Sequence, residues 1–342
     1  DGTTALSGVR VVGDLTGVPL LKFAADTGAK AVAVMADELG TDVGSETGPA
    51  DLAIVGGGVA GLSAALEAKK RGLRFVVFEA SKPMSTIVNF PKGKPIFTYP
   101  TDLDPAGGLK LTAMVKEDLV EELESQRIAA GIEPKQARIE KLVRRRNLIE
   151  LHHPDGAPFK ARRVIVAIGR SGNHRKLDVP GEDLDKVSNR LHDPAEFADK
   201  KVLVVGGGDS ALEAATALQD AGADVTLSYR GDAFTRAKSE NVEAVYRSGA
   251  DIVFKSTVAE ISESQVELKT KEGDKPYEND AVLSLIGREP PLDFFRRSGI
   301  PIQGETKLLG WIGIAALVLL CIFVYSWKSG GPTEGWIDPT EF

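Results

Sequence analysis

An α/β chain with two equivalent strand–turn–helix units and one carboxy-terminal apolar helix is predicted by three observations. A short apolar run, a glycine turn and a helical stretch follow one another over residues 52–72. The same order recurs over residues 201–222. Residues 308–327 then form a run of twenty residues without a charge.

In the first unit, residues 52–55 read as a buried strand and lead into Gly56-Gly57-Gly58-Val59-Ala60-Gly61. The next apolar strand, residues 75–78, ends in Glu79. This is GxGxxG between strand and helix, with an acid about twenty residues on, the fingerprint of a Rossmann-like dinucleotide-binding domain. Gly56 allows the tight turn, Gly58 lets a pyrophosphate approach the backbone, and Gly61 lets the helix pack on the strand. Val59, Ala60 and Gly61 open the helix, whose free N–H groups and positive dipole end favour phosphate. Glu79 would accept hydrogen bonds from ribose hydroxyls.

In the second unit, residues 201–205 lead into Gly206-Gly207-Gly208-Asp209-Ser210-Ala211 and a second helix. Gly206 lies 150 residues after Gly56, and the same shift applied to Glu79 lands on Tyr229, with Arg230 beside it. The acid that would hold a free ribose 2′-hydroxyl is missing, and a cation stands next to the place. A carboxylate would repel a 2′-phosphate and an arginine would bind it, so this site is expected to prefer NADPH to NADH. Arg236 and Lys238 would extend the cradle. An ordinary solvated Arg230 is the bland alternative. Two nucleotide folds that differ at the ribose position imply two different dinucleotides, FAD in the first and NADPH in the second.

The 342 residues carry 42 Lys+Arg against 49 Asp+Glu, a net charge of −7, with 42% hydrophobic residues. That is material for more than one core. The negative balance, with no basic arm, excludes nucleic acid as the main partner. The lone cysteine, Cys321, excludes an intramolecular disulfide, a CxxC dithiol and a cysteine metal site. His152, His153, His174 and His192 lack metal-ligand spacing, so no metal is expected. His152 and His153 read as part of a polar turn, His174 as a crossover residue within reach of a nucleotide, and His192 as the head of a linker strand. Arg144-Arg145-Arg146 reads as a solvated turn, or as a docking patch for an acidic protein.

As a helix, residues 308–327 would reach about 30 Å, the thickness of a bilayer core. Trp311, Tyr325 and Trp327 lie toward its ends as an aromatic belt would. A single-pass transmembrane helix is expected, with a buried core helix as the alternative. Arg296, Arg297 and Lys307 precede it, while only Lys328 follows among Glu334, Asp338 and Glu341. This bias places the larger part in the cytoplasm. The chain begins at Asp1, so a processed protein or a fragment is expected.

With these motifs in place, the chain resembles the thioredoxin reductase-like flavoproteins, the small two-domain branch of the pyridine nucleotide–disulfide reductases. Ile87-Val88-Asn89-Phe90-Pro91 is similar to that family's xENxPG stretch, whose Asn lies near the flavin, with Val88 where the family has Glu. Residues 164–170 (VIVAIGR) resemble the strand and glycine, here Gly169, that close the first FAD segment. Residues 175–183 (RKLDVPGED) resemble the RxLxxPGE start of the NADPH domain. Residues 285–290 (LIGREP) resemble the IGxxP return.

One segment is out of order. The family closes with GVxxxGD, whose Asp binds the ribityl chain; here Gly8-Val9-Arg10-Val11-Val12-Gly13-Asp14 stands first, followed by a helical stretch for which Pro19 suits the first turn. A circular permutation is expected, with Gly13 and Asp14 closing the flavin site. The alternative is that residues 1–36 belong to a preceding copy. The expected domains are 1–36 (permuted closing segment), 37–50 (linker), 51–170 (FAD), 171–284 (NAD(P)H), 285–306 (return), 307–328 (membrane helix) and 329–342 (tail).

Without a dithiol, the comparison narrows to ferredoxin–NADP reductases of this type and bacillithiol-disulfide reductase-like enzymes, in which the flavin itself meets the acceptor. The resemblance implies a membrane-anchored FAD-dependent NADPH oxidoreductase. Its acceptor would be a ferredoxin-like protein, a low-molecular-weight disulfide or a quinone. No catalytic side chain is expected, because hydride transfer is centred on the flavin, and a homodimer stays open. A non-turnover redox sensor or assembly subunit, or one piece of a larger reductase, are the alternatives.

Overall fold

The computed structural model describes residues 2–41, 43–45, 47–170, 173–305 and 308–328. Ser171 and Gly172 of the expected crossover, Lys307 and the expected tail lie outside the described residues. The chain divides into a compact unit, Asp1–Gly299, and a second one, Ile300–Phe342.

The larger unit holds a mixed seven-stranded sheet and a parallel five-stranded one. The first contains β1 (Val9–Val11), β2 (Ala50–Val55), β3 (Phe75–Glu79), β4 (Lys135–Gln136), β5 (Lys141–Arg145), β6 (Leu148–His152) and β7 (Phe159–Val166). Its order is β4-β3-β2-β7-β6-β5. Residues 52–55 of β2 and 164–166 of β7 are apolar and buried because both faces are covered, as parallel strands require. β7 pairs with β2 along one edge. Its other edge is divided: residues 159–161 pair with β6, and residues 164–166 pair with β1 in parallel, Val9 opposite Val164 and Val11 opposite Val166.

Helix α1 (Leu21–Leu39) follows β1 and lies along α2 (Val59–Lys70), the helix of the first glycine loop. Ala24, Ala25, Gly28, Ala29 and Val32 of α1 are buried, as are Ala60, Ser63, Ala64 and Ala68 of α2. These small residues let the two backbones approach closely, and the Ser63 hydroxyl donates to the Ala25 carbonyl at 2.7 Å. Helices α3 (Ser85–Val88) and α4 (Lys116–Ala129) complete this part.

Two boundaries differ from expectation. Pro19 stands outside α1, which starts at Leu21 after an extended Leu20. The helix also runs through the expected start of the linker to Leu39, because Val32 and Met35 keep one face in the core until Gly40 ends it with a positive φ of 69°. The remaining linker is held by buried Asp51, whose carboxylate accepts the Gly44 N–H at 2.7 Å and the Arg74 N–H at 3.0 Å.

The crossover pair β8 (Asn173–His174) and β17 (Arg288–Glu289) is antiparallel. Between them lies the second sheet, from β9 (Val187–Ser188), β10 (Lys201–Val205), β11 (Asp224–Tyr229), β12 (Asp251–Phe254) and β16 (Ala281–Ser284), in the order β12-β11-β10-β16-β9. Helices α5 (Asp209–Asp220) and α6 (Ser239–Ser248) cover one face. The other packs on an antiparallel sheet of β13 (Thr257–Ile261), β14 (Gln265–Thr270) and β15 (Gly273–Glu278). Helix α7 (Leu292–Arg297) follows the crossover. His152 lies in β6 rather than a turn, and His192 stands in an irregular stretch after β9 rather than in a strand.

In the second unit, α8 (Leu308–Lys328) is an apolar helix. Its stretch Gly310–Lys328 is long and apolar enough to cross a membrane, and none of it is buried.

The approach of α1 to α2 has a measurable limit. A methyl group at Gly28 would sit 2.2 Å from the Ala60 carbonyl oxygen. Gly→Ala in an exposed helix gains about 1 kcal/mol from propensity. Here the backbone clash wins, and Gly28→Ala is expected to lower stability by about 1–3 kcal/mol, read by chemical denaturation. Unchanged stability would show that α1 does not sit this close.

Candidate functional site

A cleft of about 630 Å³ opens at the carboxyl ends of β2 and β7, where the first glycine loop begins. Gly13, Asp14, Gly56, Gly58, Val59, Ala60, Glu79, Asn89 and Gly169, all expected from sequence, line it together.

Each glycine has a distinct role. Gly56 has φ +114°, and a Cβ there would meet the Ala167 carbonyl oxygen at 2.3 Å, just where the chain leaves β7. Gly61 lines no wall; a Cβ on it would lie 1.9 Å from the Gly56 carbonyl oxygen, so it sets helix-to-turn packing as expected. Gly58 caps α2 and has nothing within 4 Å of an added Cβ, so the space in front of the helix N-terminus is open. Open space, bare backbone and a twelve-residue helix end together suit a pyrophosphate. The Glu79 carboxylate accepts the Gly57 N–H at 2.7 Å and the Ser81 N–H at 2.9 Å. These bonds fix the acid at the cleft wall, where it can receive a ribose.

Asp14 enters from the amino-terminal segment, in the tight helical turn Gly13–Thr16. The Gly13 N–H donates to the Thr27 hydroxyl at 3.0 Å, and the Thr16 hydroxyl donates back to the Gly13 carbonyl at 2.8 Å. Burial raises the Asp14 pKa above the ordinary carboxylate value, with the charge of Arg170 working in the opposite sense.

The second loop repeats the geometry with different contents. Gly206 has φ +148°, and a Cβ there would meet the Leu285 carbonyl oxygen at 2.5 Å, where the chain leaves β16. Ala211 replaces the third glycine, and Gly208 again has nothing within 4 Å of an added Cβ. Tyr229 occupies the position of Glu79: a Cβ on Gly207 would lie 2.2 Å from its ring, and one on Gly231 2.6 Å. The ring stacks on Phe234 at 5.4 Å and forms part of an aromatic wall with Phe254. Asp209, expected as a cofactor-binding position, spends its carboxylate on structure, accepting the Lys238 N–H and the Asn241 amide, both at 2.8 Å. It thereby ties the Arg230–Lys238 loop to the start of α5. Ser210, Arg230 and Arg236 are exposed on that side. Asp232, the acid of this loop, is 3.4 Å from Lys255.

Three contacts seat the second sheet against the first part. The Lys92 N–H donates to the His192 carbonyl at 2.9 Å, Lys92 Nζ lies 3.2 Å from Asp193, and Lys94 Nζ lies 2.6 Å from Glu213 of α5.

Several cleft residues escaped the sequence reading. Ser81 was within reach, two residues past Glu79. Met84, Arg190, Phe294 and Arg297 come from distant segments with no motif, and only the fold brings them to the cleft.

The raised pKa of Asp14 gives a pH dependence. In the ligand-free fold Asp14 keeps its proton at pH values where the unfolded chain has released it, so stability falls as pH rises through that window. Asp14→Asn, which does not titrate, is expected to be more stable than the parent above the window, the gap closing below about pH 4. Denaturation of ligand-free protein across pH checks this, and a gap that widens on acidification would overturn it.

The pyridine nucleotide-disulphide oxidoreductase family matches residues 53–309. A ferredoxin–NADP reductase of Ignicoccus hospitalis is 32% identical over 266 residues, covering 76% of this chain and 84% of the relative. The bacilliredoxin reductase Bdr of Bacillus subtilis is 28% identical over 276 residues, covering 74% and 81%. Among solved structures, the bacillithiol disulfide reductase of Staphylococcus aureus superposes with a TM-score of 0.67 at 25% identity, covering 76% of this chain and 83% of that one. The two glycine turns, their helices and the crossover pair are thus parts of a known scaffold, and the chain belongs to the pyridine nucleotide-disulphide oxidoreductase family of FAD-dependent NAD(P)H oxidoreductases.

Proposed function

We propose that this protein is a membrane-anchored NADPH oxidoreductase, with FAD in the first cleft and NADPH on the second loop. Its acceptor is reduced at the flavin without a dithiol. The observation that carries the reading is the pair of equivalent glycine loops with a carboxylate at one ribose position and an aromatic ring at the other. Glu79 suits a ribose with both hydroxyls free. Tyr229 leaves no carboxylate to repel a 2′-phosphate, and Arg230 and Arg236 stand exposed beside it.

When bound, FAD supplies the hydride acceptor and electron relay. The chain supplies positions and charges. Gly56, Gly58 and the α2 N-terminus hold a pyrophosphate, Glu79 a ribose and Asp14 a hydroxyl of the chain between pyrophosphate and ring. Asp209 keeps the Arg230–Lys238 loop in place for the second dinucleotide. Cys321 is the lone cysteine of the sequence, so the chain cannot form a dithiol relay of its own.

The amino-terminal segment supports a permuted order. β1 pairs with β7 of its own sheet, and Gly13 and Asp14 line the same cleft as Gly56 and Glu79. Residues before 53 fall outside the family match, as a relocated closing segment would. Under this reading residues 51–170, with 1–36 and 285–306, make the flavin part and 171–284 the NAD(P)H part. A ferredoxin-like protein, a small disulfide and a quinone are the acceptor classes.

Two experiments test the proposal. The protein purified in detergent should carry a flavin spectrum that NADPH bleaches faster than NADH. The double variant Arg230→Ala/Arg236→Ala should raise KM for NADPH about tenfold or more while leaving NADH little changed. Absence of flavin, or faster bleaching by NADH, would overturn it. A chain ending at Glu305 should move from the membrane fraction to the soluble fraction, whereas equal partitioning would remove the anchor.

A further inference from the structure

Asp232 stands two residues after Arg230, in the loop that the functional reading gives to the ribose 2′-phosphate. A carboxylate there works against that reading in two ways. It repels a phosphate, and it offers Arg230 and Arg236 a counterion within their own loop. Neither guanidinium is taken. Among the described residues no carboxylate pairs with Arg230 or Arg236, whereas Asp232 Oδ2 lies 3.4 Å from Nζ of Lys255.

Lys255 comes from a different strand. β11 and β12 run parallel with Tyr229 opposite Phe254, so the next residue of each, Arg230 and Lys255, leave the sheet side by side. The Lys255 N–H donates to the Gly231 carbonyl at 2.9 Å, and the Ser256 N–H to the Tyr229 carbonyl at 3.2 Å. The Ser228 and Ser256 hydroxyls add a buried hydrogen bond of 2.8 Å between the same two chain ends. Lys255 has φ +53°, in the left-handed region that strains a residue with a side chain. Glycine would relieve that strain; the lysine keeps a cation at this place.

The loop does not depend on the ion pair for its shape. Phe234 packs on Phe254 at 5.0 Å and on Tyr229 at 5.4 Å, and Asp209 accepts the Lys238 N–H at the far end. The Lys255 and Asp232 side chains are 40% and 73% exposed, so their attraction adds little to stability. What the pair changes is the charge beside Arg230.

We propose that Lys255 is a specificity-determining positioning residue. By holding Asp232 it leaves Arg230 and Arg236 free for the 2′-phosphate of NADPH, and it offsets the carboxylate charge that would repel that phosphate. This rests on the reading that the second loop takes NADPH, and it adds to that site a residue from outside the loop.

The test uses the full chain in detergent with FAD added, titrated calorimetrically with two probes. These are adenosine 2′,5′-bisphosphate and adenosine 5′-monophosphate, which differ only in the 2′-phosphate. Lys255→Met should weaken binding of the bisphosphate about threefold or more and leave the monophosphate unchanged, because Asp232 then lacks its cation. Lys255→Arg should keep the parent affinity. Adding Asp232→Asn to Lys255→Met should recover most of the loss, which a merely structural role for Lys255 would not allow. In turnover, Lys255→Met should raise KM for NADPH by a similar factor with kcat unchanged, and high salt should shrink the difference. Equal weakening of both probes, or no recovery with Asp232→Asn, would overturn the inference. A parent protein that does not prefer the bisphosphate would sink the NADPH reading and this inference with it. A parental preference that persists undiminished in Lys255→Met would sink this inference alone.

Discussion

Two backbone collisions avoided by glycine hold this architecture together. At Gly56 and again at Gly206 the turn after a parallel strand runs against the carbonyl of the residue leaving the neighbouring strand, Ala167 in one sheet and Leu285 in the other. No side chain fits between them. That approach brings the departing chain across the carboxyl end of the sheet, where a crevice opens in a doubly wound fold. The helix that starts three residues later then points its free amides into the crevice. The position of the cleft, the orientation of α2 and α5, and the placing of Glu79 and Tyr229 all depend on it.

The same constraint explains why one scaffold can carry two different ligands. The turn, the helix and the exit strand are set by backbone contacts and vary little between the two sheets. The residue at the end of the next strand, β3 in one sheet and β11 in the other, is not part of that collision; its side chain lies against the middle glycine. In the first sheet it is Glu79, whose carboxylate accepts the Gly57 N–H. In the second it is Tyr229, whose ring covers Gly207 and is held in an aromatic cluster. The two sheets therefore differ in side-chain chemistry at one equivalent position of a shared backbone.

The glycine loops were legible because their requirements are local: a positive φ and a missing Cβ leave a mark in four or five consecutive residues. Asp14 was legible through its short motif, although its partners in the cleft lie more than forty residues away. Asp209 shows the limit of such reading. Its place at the start of α5 suggests a ligand contact, yet the carboxylate serves the neighbouring loop, because Lys238 and Asn241 are brought against it by packing of α5 on α6. The histidines show the same limit, since local polarity could not tell a strand end from a turn.

The sequence alone determined the two nucleotide units, the missing dithiol and the apolar carboxy-terminal helix, since each is a matter of residue type at fixed spacing. Only the tertiary structure decided that the amino-terminal strand completes the edge of β7 and that α1 presses on α2 through bare backbone at Gly28. The physical reason is distance along the chain. A backbone collision or a strand pairing between residues far apart in the chain leaves no periodicity, and its energy exists only once the sheets have assembled.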